Sequence, residues 1–155
     1  PLSEMGVLIK DTNGCAPLYI EKSKQPIKAF YYELPIASAQ VKSCLLLAAL
    51  SADGTTELSE PGPSRDHTER MLKGMGVMVE KDIYEGVELE DGRHWKRYMT
   101  RLKSAELMSL KPLKLTIPGD ISAASFLITA ALICKESELI QAGSGQTEAL
   151  LLHQV

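Results

Sequence analysis

The sequence predicts an α/β fold, on three observations. Stretches rich in β-branched and aromatic residues alternate with stretches of helical period, and turn residues separate them. From about residue 27 to about 103 the order is strand, helix, strand, helix, strand, strand. That order describes one complete βαβαββ unit with partial neighbours on either side. It is not a strict alternation of strand and helix, so a doubly wound dinucleotide-binding sheet fits poorly. Neither a G-x-G-x-x-G run behind a strand nor a Walker loop is present.

The elements follow in order. "GVLIKDTNGCAPLYIEK" reads as two short strands about the turn residues Asn13-Gly14, and "IKAFYYELP" as a third strand ended by Pro35. A helix is predicted from about Ser38 to Ala52, after which Asp53-Gly54 turns the chain into the strand "TTELSE", broken in turn by "PGP". In "SRDHTERMLKGMGV" the residues Thr68, Met71, Leu72 and Met75 repeat at helical spacing, and Gly76 is placed to close that helix. "VMVEK", a polar hairpin with Asp91-Gly92, and the strand "KRYMTRL" complete the unit. A less regular segment leads to a short strand before Pro118-Gly119. Asp120 or Ser122 then caps a third helix with Ala123, Phe126, Leu127 and Ala130 on its apolar face.

Composition restricts the function. The 155 residues are 45% hydrophobic and 24% charged, enough for one ordinary domain core, and the net charge of -3 with dispersed Lys and Arg argues against a nucleic-acid surface. The most apolar stretch, Phe126 to Cys134, spans nine residues and is too short to cross a bilayer. Pro1 to Lys10 has no apolar centre of the signal-peptide kind, which makes a cytoplasmic enzyme the expected class. Cys15, Cys44 and Cys134 form no C-x-x-C pair and read as buried small hydrophobes of a reducing compartment. His67, His94 and His153 lack the spacing of a helical zinc site, so no metal or other cofactor is expected.

The candidate site lies at two helix mouths. A helix N-terminus carries unpaired N–H groups and partial positive charge, and it accepts an anion when the approach is small and polar. Ser38, Ala39 and Gln40 give such an approach in "PIASAQVKSCLLLAAL"; plain capping by Ser38 is the simpler alternative. In "PSRDHTE" Ser64 or Asp66 can cap while Arg65 presents a planar fork suited to phosphate or carboxylate; a solvated or salt-bridged surface arginine is the simpler alternative there.

"PIASAQVKSCLLLAALSADGTTELSEPGPSRDHTERMLKGMGV", with "PLSEMGVLIK" before it and "IPGDISAASFLITAALI" after it, resembles the 5-enolpyruvylshikimate-3-phosphate synthase family over roughly residues 1 to 135. The S-A-Q-V-K-S and S-R-D-H-T-E-R-M motifs look closest to the bacterial class whose members often tolerate glyphosate, which adds that herbicide to the candidate ligands. The resemblance implies an inside-out α/β barrel of enolpyruvyl transferase type, with two domains of three βαβαββ units each and substrates in the cleft between them. It implies transfer of the enolpyruvyl group of phosphoenolpyruvate to the 5-hydroxyl of shikimate 3-phosphate, with release of phosphate and no redox cofactor. By motif position Ser38, Ala39, Gln40 and Arg65 resemble shikimate 3-phosphate contacts, and Gln40 also falls where the family touches phosphoenolpyruvate.

The same resemblance implies that residues 1-118 are part of the N-terminal substrate-binding domain, and that 119-155 hold the hinge, the first helix of the C-terminal domain and a divergent tail. The early Lys-Ser and Arg motif of the family has no counterpart, and the family's acid–base residues belong to the C-terminal domain. The chain thus reads as a fragment that binds shikimate 3-phosphate; a non-catalytic split half that needs a complementary partner fragment is the alternative reading. A related transferase family acting on a nucleotide sugar shares the fold, but its cysteine-bearing loop has no counterpart here. On the fragment reading Phe126, Leu127, Ile128 and Leu132 should face water, and the chain from Gln141 to Gln146 should be mobile.

Overall fold

A computed structural model describes residues 1–88, 94–105, 109–115, 117, 119–134, 138–141 and 150–153. The chain divides into two units, Pro1–Leu113 and Lys114–Val155. In the first, the hairpin β1 (Leu8–Thr12) and β2 (Cys15–Glu21) precedes β3 (Ile27–Lys28), β4 (Tyr31–Glu33), α1 (Ala39–Ala49), β5 (Ala52–Asp53), β6 (Thr55–Glu60), α2 (His67–Gly74), β7 (Val79–Glu88) and β8 (His94–Lys103). This is the expected βαβαββ order. The strands β4-β6-β8-β7 form one sheet, in which β4 and β6 are parallel, as the α1 crossover requires, and the other pairs are antiparallel.

The predicted strand "IKAFYYELP" divides in two: β3 pairs with β5, and β4 pairs with β6. The division follows from Gly54, which separates β5 from β6 with φ +113 and whose missing Cβ would stand 3.3 Å from the Cβ of Ala29. Both neighbouring segments bend at the same level. Recruitment of Ala52 into β5 also ends α1 at Ala49, short of the predicted limit. The strand expected before residue 118 does not form among the described residues 111–115 and 117, since a strand exists only where a neighbour pairs with it and none does. Asp91-Gly92 and Pro118 lie outside the described residues.

α2 closes as predicted at Gly76, with φ +92, in a double hydrogen-bond motif: Val77 N–H donates to Leu72 O at 2.9 Å and Gly76 N–H to Lys73 O at 3.0 Å. The same closure occurs at Gly6, φ +93, where Val7 N–H donates to Leu2 O and Gly6 N–H to Ser3 O, each at 3.0 Å. "LSEMGVLI" and "LKGMGVMV" are thus two copies of one device, each leading into an antiparallel hairpin.

The core collects Leu45, Leu46 and Ala49 of α1 with Leu58 of β6, Leu72 of α2 and Leu102 of β8. Two expectations about burial fail. Cys15, Cys44 and Cys134 are all exposed: Cys15 opens a strand that is exposed throughout, Cys44 falls off the stripe that α1 buries, and Cys134 follows a mostly exposed helix. On α2 the buried residues are Glu69 and Leu72, so the inward face is turned from the predicted Thr68-Met71-Leu72-Met75 stripe.

In the second unit Asp120 caps α3 (Ile121–Ile133), its carboxylate accepting from Ser122 N–H at 2.8 Å. Ala124 is the buried side chain among those described on this helix, and Ala123, Phe126, Leu127 and Ala130, the predicted apolar face, are exposed. Leu132 is exposed as well and Ile128 half-buried, so water reaches the residues expected to meet it. β9 (Glu138–Gln141) pairs antiparallel with β10 (Leu150–His153); residues 142 to 146 of the stretch expected to be mobile lie outside the described residues.

Candidate anion-binding site

Ser38 is extended at φ -145 and caps α1, its Oγ accepting from Val41 N–H at 3.4 Å. Its hydroxyl donates to Gln40 Oε1 at 3.5 Å, which leaves the amide NH2 of Gln40 to donate elsewhere. No acidic residue occupies the first turn, and the N–H groups of Ala39 and Gln40 have no acceptor within the helix by their position.

The second mouth is built differently. Asp66 stands at the N-cap of α2, yet its side chain makes no capping bond. Its carboxylate instead accepts from Lys81 Nζ at 2.7 Å and Arg70 Nε at 2.9 Å, and these bonds, Lys81's foremost, hold it down at about 2. Arg65, next to it, is exposed and has no carboxylate partner among the described residues.

The two mouths share a cleft of about 300 Å³ lined by Ala39, Gln40, Ser43, Arg65, His67 and Thr68. Ser43 Oγ and Thr68 Oγ1, 2.7 Å apart, join α1 to α2 across its floor. Of the residues predicted from sequence, Ala39, Gln40 and Arg65 come together here. Ser38 stands behind them as the cap.

Behind the cleft is a buried ionic cluster that the sequence reading did not single out. Lys42 Nζ lies 2.8 Å from Glu60 Oε2 and 2.9 Å from Glu69 Oε1, with all three side chains at most 3% exposed. Burial alone would lower the Lys42 pKa, but the two carboxylates more than offset it and the pKa is raised. Glu60 Oε1 also accepts the backbone N–H of Ser38 at 3.3 Å. Glu69 meets Lys42 as an ion pair by distance, without a directed hydrogen bond to either oxygen. Lys81 stands 3.8 Å from Glu69, so Glu60, Lys42, Glu69, Lys81, Asp66 and Arg70 form a chain of alternating charge with no net charge. The signal was available: Lys42 is in step with Leu45, Leu46 and Ala49, the buried stripe of α1.

A neighbouring cavity of about 330 Å³ takes in Lys42, Glu60, Asp66 and Lys81. Its cations already face carboxylates, so it is a poorer receiver of an anion than the cleft with Arg65. Among the described residues there is no group of His, Cys, Asp and Glu fit to hold a metal, and no helix long and apolar enough to cross a membrane.

Comparison with known proteins gives consistent results. The family model for EPSP synthase (3-phosphoshikimate 1-carboxyvinyltransferase) matches residues 1–148. The 3-phosphoshikimate 1-carboxyvinyltransferase of Halorhodospira halophila is 45% identical over 140 residues, covering 90% of this chain and 28% of the relative. That of Geobacter sulfurreducens is 42% identical over 152 residues, covering 94% and 30%. The solved EPSP synthase from Acinetobacter baumannii superposes with a TM-score of 0.63 at 35% identity, covering 94% of this chain and 29% of that one. The chain therefore spans less than a third of the length of the relatives it matches.

Proposed function

The chain belongs to the EPSP synthase (3-phosphoshikimate 1-carboxyvinyltransferase) family, and from that premise we propose that it supplies the shikimate 3-phosphate-binding part of the family's reaction. In that reaction the 5-hydroxyl of shikimate 3-phosphate takes the enolpyruvyl group of phosphoenolpyruvate and phosphate leaves. The phosphate of shikimate 3-phosphate would lie between the Arg65 guanidinium and the first-turn N–H groups of Ala39 and Gln40. Ser38 would contribute by holding that turn in shape, and the NH2 of Gln40 would reach towards phosphoenolpyruvate.

The observation that carries this reading is Arg65, a cation with no carboxylate partner among the described residues, set across a cleft from a helix mouth without acidic residues. Arginine in such a place pairs in bidentate fashion with phosphate oxygens. Turnover needs groups that donate and accept protons at the reacting carbon, in a site closed to water. We assign those groups to the remaining two thirds of the family's length, beyond a crossover at Pro118-Gly119-Asp120, so this chain binds and does not turn over unless a complementary fragment joins it.

Calorimetric titration with shikimate 3-phosphate tests the assignment. Arg65→Ala is expected to weaken binding by about 1.5 to 3 kcal/mol, the range for a hydrogen bond to a charged group, with the melting temperature little changed. A sharp fall in melting temperature with affinity intact would make Arg65 a structural residue instead.

A further inference from the structure

We propose that Glu60, Lys42 and Glu69 are positioning residues, a buried clamp that sets the two helix mouths at the spacing an anion in the cleft requires. The inference rests on the reading of the cleft given above and adds residues that never touch the ligand.

One ammonium ties together the three elements from which the cleft is built. Lys42 belongs to the first turn of α1, Glu60 ends β6, and Glu69 belongs to the first turn of α2. The second oxygen of Glu60 takes the N–H of Ser38, so the clamp grips the capping residue itself. Glu69 follows Thr68, whose hydroxyl meets Ser43 of α1 at 2.7 Å, so the far jaw of the clamp adjoins the floor of the cleft.

A purely structural role explains these residues less well. Well-packed apolar side chains of similar volume commonly stabilise a core as much as a buried ion pair does. What they cannot supply is an acceptor for the Ser38 N–H and a fixed link from that acceptor to α2. Burial at 3% exposure or less keeps all three charges from the ligand, so they act through Ser38 and Thr68.

The test compares Glu60→Leu, which removes the acceptor, with Glu60→Gln, which keeps an oxygen for the Ser38 N–H. Amide resonances of the free 155-residue chain and the dissociation constant for shikimate 3-phosphate of the folded protein are both read. Glu60→Leu is expected to move the amides of Ser38, Ala39 and Gln40 together with those of Arg65 to Thr68 across the cleft. It is also expected to weaken binding about tenfold, as when one hydrogen bond to a charged group no longer orders the mouth. Glu60→Gln is expected to recover most of that affinity. If Glu60→Leu does not fold, Glu69→Gln asks the same question from the α2 side and should move the amides of Ser38 to Gln40.

Amides that move on one side of the cleft alone would overturn the clamp, as would a lowered melting temperature with an unchanged dissociation constant. If the unsubstituted chain does not bind shikimate 3-phosphate, the reading of the cleft fails, while the amide shifts still decide whether the clamp couples the two mouths.

Discussion

Three charged residues of α1 and α2 have different duties, set by what surrounds each. Arg65 stands in water without an acid, Asp66 is held by two cations at the surface, and Lys42 is buried between two carboxylates. Removing a buried partner leaves unpaired charge, so Lys42→Met should destabilise the chain by about 3 to 5 kcal/mol, measured by urea unfolding. Replacing Lys42, Glu60 and Glu69 together with apolar residues should restore much of that loss. Asp66 gives a pH signature. Its carboxyl is lowered from 3.8 to about 2 in the folded chain, so its contribution to stability is present above about 3.8 and is lost as pH falls towards 2. The stability advantage of the natural chain over Asp66→Asn should shrink across that window in acid titrations of unfolding. Arg65 was legible in the sequence because a lone arginine before a capped helix has few bland explanations. Lys42 was not, because lysine is ordinarily a surface residue and its partners come from a strand and a helix far along the chain.

α1 and α2 owe their placement to how the chain enters and leaves them. The closure at Gly76 needs a left-handed residue, and a Cβ there would meet the Lys111 side chain at an ordinary 3.7 Å. Gly76→Ala should therefore lose about 1 to 2 kcal/mol through backbone strain alone, read as a lower unfolding midpoint with the fold retained. The strand order, both helices and this closure could be read from periodicity and turn residues, which are local signals. The break between β3 and β4 could not, because its cause lies in Gly54 on the neighbouring segment. The inward face of α2 was misjudged for a related reason: Glu69 counts as polar in any periodicity, yet the Lys42 ammonium draws it inside.

Across the whole chain, the family was legible because the S-A-Q-V-K-S and S-R-D-H-T-E-R-M motifs fall on the two mouths that line one cleft. The face of α3 was less so, since burial there depends on what packs against the helix, and this chain spans under a third of its relatives' length. The central claim is that the mouths of α1 and α2 act as one phosphate site. It is tested most directly by titrating the isotopically labelled chain with shikimate 3-phosphate and following every amide by nuclear magnetic resonance. The account predicts saturable shifts concentrated at Ser38, Ala39 and Gln40 and at Arg65 to Thr68, with a common dissociation constant for both groups. Shifts confined to one mouth, or gathered instead around the neighbouring cavity at Lys81 and Asp82, would contradict it.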